Sequence, residues 1–351
     1  MKTIKYLLIS IFLTSCSSNE PINYFEAFAQ NVEVEFQEIE VADVLPFASD
    51  LVLLDSVIIT LDMLDNPVFN VFNVSNFSHI GGFVNKGYGP GEESVIFPLF
   101  NKLDGNTFFY NAITHLSLLS FNKETNTLEE INKIPLPNEL IGASQIFMIN
   151  NNIYGYNAAM KGHEYIGFNH ESWEVFDFGP GFPEYTLKLN EEQKNVLYTK
   201  IVTNKPDGSK FAALYDKFPI LRIYDDRGIL LHQSQFYNQQ KEPLAYLREQ
   251  ISLSEMNGTT INYLRIKATD SYIYGLYAGK THGELNVQEK RVDDFCKEIH
   301  IWDWEGKPLV KFVLNKEIMA FSVSPDNKCI IGTSANHDNK LFKLEISKYL
   351  H

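Results

Sequence analysis

Phe69-Asn70-Val71-Phe72-Asn73, Leu118-Leu119-Ser120-Phe121-Asn122, Tyr165-Ile166-Gly167-Phe168-Asn169, Leu221-Arg222-Ile223-Tyr224-Asp225 and Ile299-His300-Ile301-Trp302-Asp303 are five copies of one pattern. Each is a short strand-like run that ends in an aromatic residue and an Asn or Asp suited to a turn. A weaker sixth copy is Leu341-Phe342-Lys343-Leu344-Glu345. With Phe72, Phe121, Phe168, Tyr224, Trp302 and Leu344 taken as equivalent, the intervals are 49, 47, 56, 78 and 42 residues. Such a period of about fifty residues marks a stacked-repeat architecture.

Around each copy the strand-like runs keep one order. In the last unit Met319 to Ser324, the turn Pro325-Asp326-Asn327, Cys329 to Thr333 and Leu341 to Ile346 follow each other. The preceding unit reads Tyr263 to Ala268, Tyr272 to Tyr277, Glu298 to Trp304 and Leu309 to Leu314. Four antiparallel strands per unit cannot bury both faces of their small sheet alone, whereas radial stacking does so. The expected fold is therefore all-β, a six-bladed β-propeller, with a pair of β-sandwiches as the alternative. The last unit runs out of chain after its third strand. Val32 to Val41, whose apolar alternation slips once, is a spare strand that would pair with the last blade, close the ring and remove two exposed edges. Within the long interval, Leu244, Leu247, Ile251 and Leu253 lie near helical spacing and Gly258 is a stop, so residues 239–260 are expected to form a helix-containing insertion.

The start of the chain carries the location signal. Lys2 and Lys5 precede the apolar run Tyr6 to Leu13, as in an export signal, and the run is too short to span a bilayer as a helix. Leu13-Thr14-Ser15-Cys16 resembles the lipobox of bacterial lipoproteins, which implies cleavage before Cys16 and a covalent lipid on that residue. The expected division is a signal peptide over 1–15, a lipidated Cys16 with a tether over 16–29 that begins Ser-Ser-Asn-Glu-Pro, and a propeller over 30–351. The expected place is the cell envelope, at the outer membrane. The chain of 351 residues has a formal charge of −14, and loss of Lys2 and Lys5 leaves 28 basic against 44 acidic side chains, a balance of −16. A body of that sign is repelled by nucleic acid and by anionic headgroups, so the membrane would be reached through the lipid only.

Gly87-Tyr88-Gly89-Pro90-Gly91-Glu92, followed by Phe97-Pro98, resembles the G-x-G-P-G-E segment in the first blade-to-blade connection of TolB-like six-bladed propeller lipoproteins, and more loosely the Gly-rich linker of NHL repeats. The family usually has an aromatic directly after the Glu; here Glu93 and Ser94 precede Val95-Ile96-Phe97. The resemblance implies the fold and lipoprotein status and brings no shared activity or catalytic residues. On physical grounds three Gly around Pro90 permit a sharp reversal, and the segment lacks the Lys-Ser/Thr of a phosphate loop.

No nucleophile elbow, zinc-protease helix or calcium loop occurs. Placed on the repeats, His115, His163, His282 and His337 fall between the second and third strands of blades two, three, five and six, with Lys161, Lys280 and Asp338 in the same loops. These loops share a ring face with the blade-to-blade connections and form the candidate binding face. Asp225-Asp226 and Asp293-Asp294 read as turn or loop carboxylates. Cys296 and Cys329 would lie at opposite ends of their blades, so no disulfide is expected between them. No cofactor or metal is predicted beyond the covalent lipid. The expected function is a lipid-anchored binding or scaffold module for a protein, peptide or carbohydrate. The alternative is a hydrolase or lyase with a His/carboxylate or metal site at the central mouth.

Overall fold

Alternating apolar residues, punctuated by Asn, Asp and Gly turns, build six four-stranded sheets. The computed structural model of the chain describes residues 22–23, 27–42, 45, 47–97, 100–143, 145–156, 162–183, 194, 198–237, 258, 260–281, 283–285 and 296–350. The insertion expected over 239–260 falls almost wholly outside them, as do the signal segment and Cys16.

Blade one contains Ala48–Leu53, Val57–Asp62, Phe69–Asn73 and His79–Phe83; blade two Phe100–Lys102, Thr107–Ala112, His115–Asn122 and Thr127–Pro135. Blade three contains Gln145–Ile149, Asn152–Tyr156, Tyr165–Asn169 and Glu174–Phe178; blade four Lys200–Asn204, Lys210–Tyr215, Ile220–Asp225 and Leu230–Tyr237. Blade five contains Thr260–Ala268, Tyr272–Thr281, Cys296–Asp303 and Pro308–Ile318; blade six Ala320–Val323, Cys329–Thr333 and Lys340–Glu345, with Gln37–Glu40 as its fourth strand. The first strands touch around the axis: blade six meets blade one, four meets three, and five meets both four and six. Burial declines outward. Val57–Asp62 is buried throughout because neighbouring blades cover both faces, whereas Thr127–Pro135 is mostly exposed.

The core is divided among the interfaces, one apolar cluster to each of the six. The repeated residue has the same task in every copy. Phe72 packs against blade six, Phe121 against blade one, Phe168 against blade two, Tyr224 against blade three, Trp302 against blade four and Leu344 against blade five. Each is a wedge driven into the preceding blade, and burying a side chain of this size stabilises by about 1.5–3 kcal/mol.

The N-terminal segment differs in part from the expected single closing strand. Gln37–Glu40 does pair antiparallel with Lys340–Lys343 of the last blade. Gln30–Val34 instead runs parallel to Val310–Leu314 on the outer edge of blade five, and Ile22–Asn23 runs parallel to Phe236–Tyr237 on the outer edge of blade four. The slip in alternation is the physical reason. Val34 and Phe36 are both buried, and the Phe36 N–H donates to Asn315 Oδ1 at 2.9 Å where the chain turns from blade five to blade six. Glu38 then bridges the two, 2.9 Å from Lys316 and 2.8 Å from Lys340. The packed chain thus begins inside the stretch read as tether, and Phe28 lies buried against His300 and Trp302, with ring centroids 4.8 and 5.5 Å away.

An axial cavity and a buried ion cluster

The first strand of each blade ends in a turn beside the axis, so six turns meet around one opening. They enclose a cavity of about 690 Å³. Its wall is apolar where the strands end, at Val52, Phe147, Ile149, Val202 and Val323, and polar at the turns. The turns contribute Asp55, Lys102, Asp104, Asn150, Lys205, Asp207, Thr269 and Asp270.

The floor is an ion network that crosses the axis. Asp50, only 1% exposed on the first strand of blade one, takes Lys267 Nζ of blade five at 3.1 Å, with Arg265 Nε at 3.9 Å. Arg265 Nη2 donates to Ser49 O at 2.8 Å. Blades one and five are not neighbours, so these bonds span the channel. Higher up, Lys102 Nζ donates to Leu53 O at 3.2 Å, and burial lowers its pKa against the pull of Asp55 and Asp104. Burial raises the Asp207 carboxyl, but hydrogen bonds from Lys205 and Ser209 outweigh it and hold the group at about 2. The cavity therefore presents fixed ammonium and carboxylate groups together with side-chain amides. Such a set suits a ligand with both donors and acceptors, such as a peptide backbone or a sugar hydroxyl array.

The histidine loops emerge at the other end of the axis. His115 opens the third strand of blade two, and its Nε2 lies 3.1 Å from Glu93 Oε1, which also takes Lys133 Nζ at 2.8 Å. His163 Nδ1 donates to Gly179 O at 3.0 Å, and its Nε2 is 3.8 Å from Asp177. His337 Nε2 is 3.4 Å from Glu317, and its ring lies 5.5 Å from Phe342. Each of the three is thus engaged with its own local partners. His282 and Lys161 lie outside the described residues, while Lys280 is near the end of the second strand of blade five and Asp338 is beside His337. Among the described residues no group of three or more His, Cys, Asp or Glu is disposed to hold a metal ion. Cys296 and Cys329 are both free thiols.

Gly87, Gly89, Pro90, Gly91 and Glu92 form a closed loop above blade one. Asn85 and Lys86 pair parallel with Glu92 and Glu93, and Glu92 Oε2 accepts the Gly89 N–H at 2.9 Å. A Cβ on Gly87 would stand 1.9 Å from that oxygen, and Gly91 has φ of 79°. The glycines therefore make room for a carboxylate that folds back onto the backbone.

The residues around Glu164 escaped the sequence reading, although Glu164 adjoins His163. It is fully buried, with Arg222 Nη1 at 2.9 Å, Lys200 Nζ at 3.4 Å, and the Tyr215 and Tyr224 hydroxyls donating to its oxygens. The Lys200 ammonium sits 4.5 Å from the centres of the Tyr156 and Tyr165 rings and 5.1 Å from that of Phe182. Burial lowers its pKa to about 8 while Glu164 pulls it up. The polar turn residues of the cavity mouth could have been found by aligning the units on their repeated aromatic, because Asp55, Asp104, Asn150, Asp207 and Asp270 all fall in first-to-second turns. The Glu164 cluster had no such signal, since its cations belong to the next blade.

A family model described as TolB-like 6-blade propeller-like matches residues 44–326. Two solved structures share the fold. A member of the DUF4221 family from Bacteroides vulgatus is 10% identical with a TM-score of 0.61, the match covering 89% of this chain and 98% of that one. A protein from Bacteroides fragilis described as exported is 13% identical with a TM-score of 0.55, the match covering 90% of this chain and 99% of that one. Curated proteins yielded no match.

Proposed function

The chain belongs to the TolB-like six-bladed propeller family, and from that premise we propose that it is a lipid-anchored binding module of the cell envelope whose ligand enters the axial cavity. The carrying observation is the cavity itself, floored by the Asp50–Lys267–Arg265 network and rimmed by turn residues of both charges. The ligand class that fits is a peptide or glycan segment of a larger partner, held by Lys102, Lys205, Asp207 and the asparagine amides. The export-like stretch Lys2 to Leu13 and the resemblance of Leu13 to Cys16 to a lipobox support the envelope location, as does the exported protein of the same fold. The acidic body leaves the lipid on Cys16 as the attachment.

The test is comparative capture from envelope extract by the Cys16→Ala chain, with and without Lys102→Ala and Asp207→Ala. These changes in the cavity wall should lower retention of the captured component at least about tenfold, the loss of one or two charged hydrogen bonds, in a protein that still melts in one cooperative transition. Equal retention by both proteins would place binding elsewhere. Cys16→Ala should also abolish fatty-acid incorporation; incorporation that persists in this variant defeats the anchoring claim.

A further inference from the structure

The third-to-fourth hairpins of blades three and four carry large apolar side chains that are more than half exposed. The residue just before the fourth strand is Trp173 in blade three and Ile229 in blade four, and the second residue of that strand is Val175 and Leu231. Trp173 is 60% exposed, and Ile229 and Leu231 are each 51% exposed. By register Ile229 stands where blades one, two, three and five have Ser78, Thr127, Glu174 and Lys307, and Trp173 stands where blades one, two, four and five have Phe77, Asn126, Gly228 and Gly306. Exposed apolar side chains on the same hairpin of two adjacent blades mark a contact surface.

The path of the chain says what covers it. Ile22–Asn23 is held on the fourth strand of blade four, and the pairing is parallel, so the direction from Asn23 to Ile22 runs back along that strand toward Leu231. Cys16 lies six positions before Ile22, a contour of at most about 22 Å at ~3.3–3.6 Å per residue. The strand from Phe236 back to Leu231 covers about 17 Å at ~3.3 Å per residue. We infer that the outer rim of blades three and four rests on the lipid bilayer, with Trp173, Val175, Ile229 and Leu231 in the headgroup region and the propeller standing on its edge. This rests on lipidation of Cys16, which supplies the leash. Glu171, Glu174 and Asp226 flank the patch, so the contact is apolar and does not depend on anionic lipid.

Trp173 is its own probe, because the other two tryptophans, Trp302 and Trp304, are buried in the core. The full lipidated chain is reconstituted into phosphatidylcholine vesicles with plain or brominated acyl chains, and its lipid content is checked by mass and flotation. The expected result is a blue shift and bromolipid quenching of the Trp173 share of the emission, shielding of that share from acrylamide, and loss of all three signals in Trp173→Phe. Ile229→Asp with Leu231→Asp should float as well as the parent yet lose the quenching. A chain that carries lipid and floats, but whose Trp173 is unquenched and as open to acrylamide as in Cys16→Ala, overturns the rim contact and leaves the anchor standing. A chain without lipid on Cys16 overturns both. Self-association of the Cys16→Ala chain that is abolished by the two Asp substitutions would instead make the patch a contact between copies, and would also overturn the inference.

Discussion

Glu164→Gln is the perturbation that most directly probes how blades three and four are joined. The wild-type carboxylate is fully buried and answers two cations, Arg222 at 2.9 Å and Lys200 at 3.4 Å. An amide keeps the shape and can still accept from Tyr215 and Tyr224, but it leaves both cations in the apolar interface without a counter-charge. Breaking a buried pair in this way costs about 3–5 kcal/mol. With unfolding entropy near 2.1 cal/mol/K per residue and a cooperative unit of about 300 residues, 1 kcal/mol corresponds to ~1.6 °C, so Tm should fall by roughly 5–8 °C. Lys200→Met should behave differently. It removes the cation whose charge burial disfavours and leaves Glu164 with Arg222 and two hydroxyls, so it should change stability by less than about 1 kcal/mol. The double variant should then recover part of the Glu164→Gln loss. The sign with pH follows from Lys200, whose folded pKa of about 8 lies below the ordinary 10.5. The unfolded state binds the proton more tightly between those values, so this group's contribution to stability rises from pH 8 toward 10 in wild type and is missing in Lys200→Met. Thermal melts and urea titrations of the four proteins at pH 7 and 9.5 measure all of this. A Glu164→Gln protein within 1 kcal/mol of wild type, or a double variant weaker than either single one, would refute the view that this carboxylate offsets two buried charges.

A second expectation concerns His300, which is fully buried between Tyr263 at 3.0 Å and Glu298 at 3.1 Å, with Phe28 and Tyr277 against its ring and Lys311 nearby. Burial holds its pKa well below 6.5, so its share of stability is complete above pH 6.5 and is lost as the pH falls, by about 1.4 kcal/mol per unit for one proton; His300→Gln should flatten the urea-midpoint profile between pH 7 and 5 by that slope. Gly87→Ala should displace the Glu92 carboxylate from the Gly89 N–H and cost about 1–2 kcal/mol, the value of one charged hydrogen bond. In a Glu92→Ala background the same change should cost far less, and equal costs in both backgrounds would deny the coupling.

The fold was legible because one buried position recurs. A wedge such as Phe168 or Trp302 must be large and apolar in every blade, and in five of the six an Asn or Asp opens the turn after it, so the chain repeats itself visibly. The course of the N-terminal segment was half legible: the slip near Phe36 was visible as broken alternation, but only the corner at Asn315 gives it meaning. The ions of the cavity floor were not legible. Asp50 and Lys267 stand 217 residues apart, and each on its own is an ordinary polar residue in a strand. Histidines draw the eye by their chemistry, yet the three that can be placed are held by Glu93, Gly179 and Glu317, while the axial cavity opens at the other end.

The strap that joins the last blade also sets the order in which the molecule can be completed. Glu38 and Lys340 meet across 302 residues of chain, so the N-terminal segment, which is made first, must wait for nearly the whole polypeptide before it finds its partner. Closing a loop of that length costs only about 1.6 kcal/mol more than closing a single fifty-residue blade, so the finished ring is hardly weakened, but non-local pairing of this kind is slow. Until it forms, the outer edges of blades four and five and the open side of blade six are bare strands able to capture another chain. A lipid on the waiting end would confine that vulnerable interval to a surface, where the seam closes by a short two-dimensional search around one fixed point.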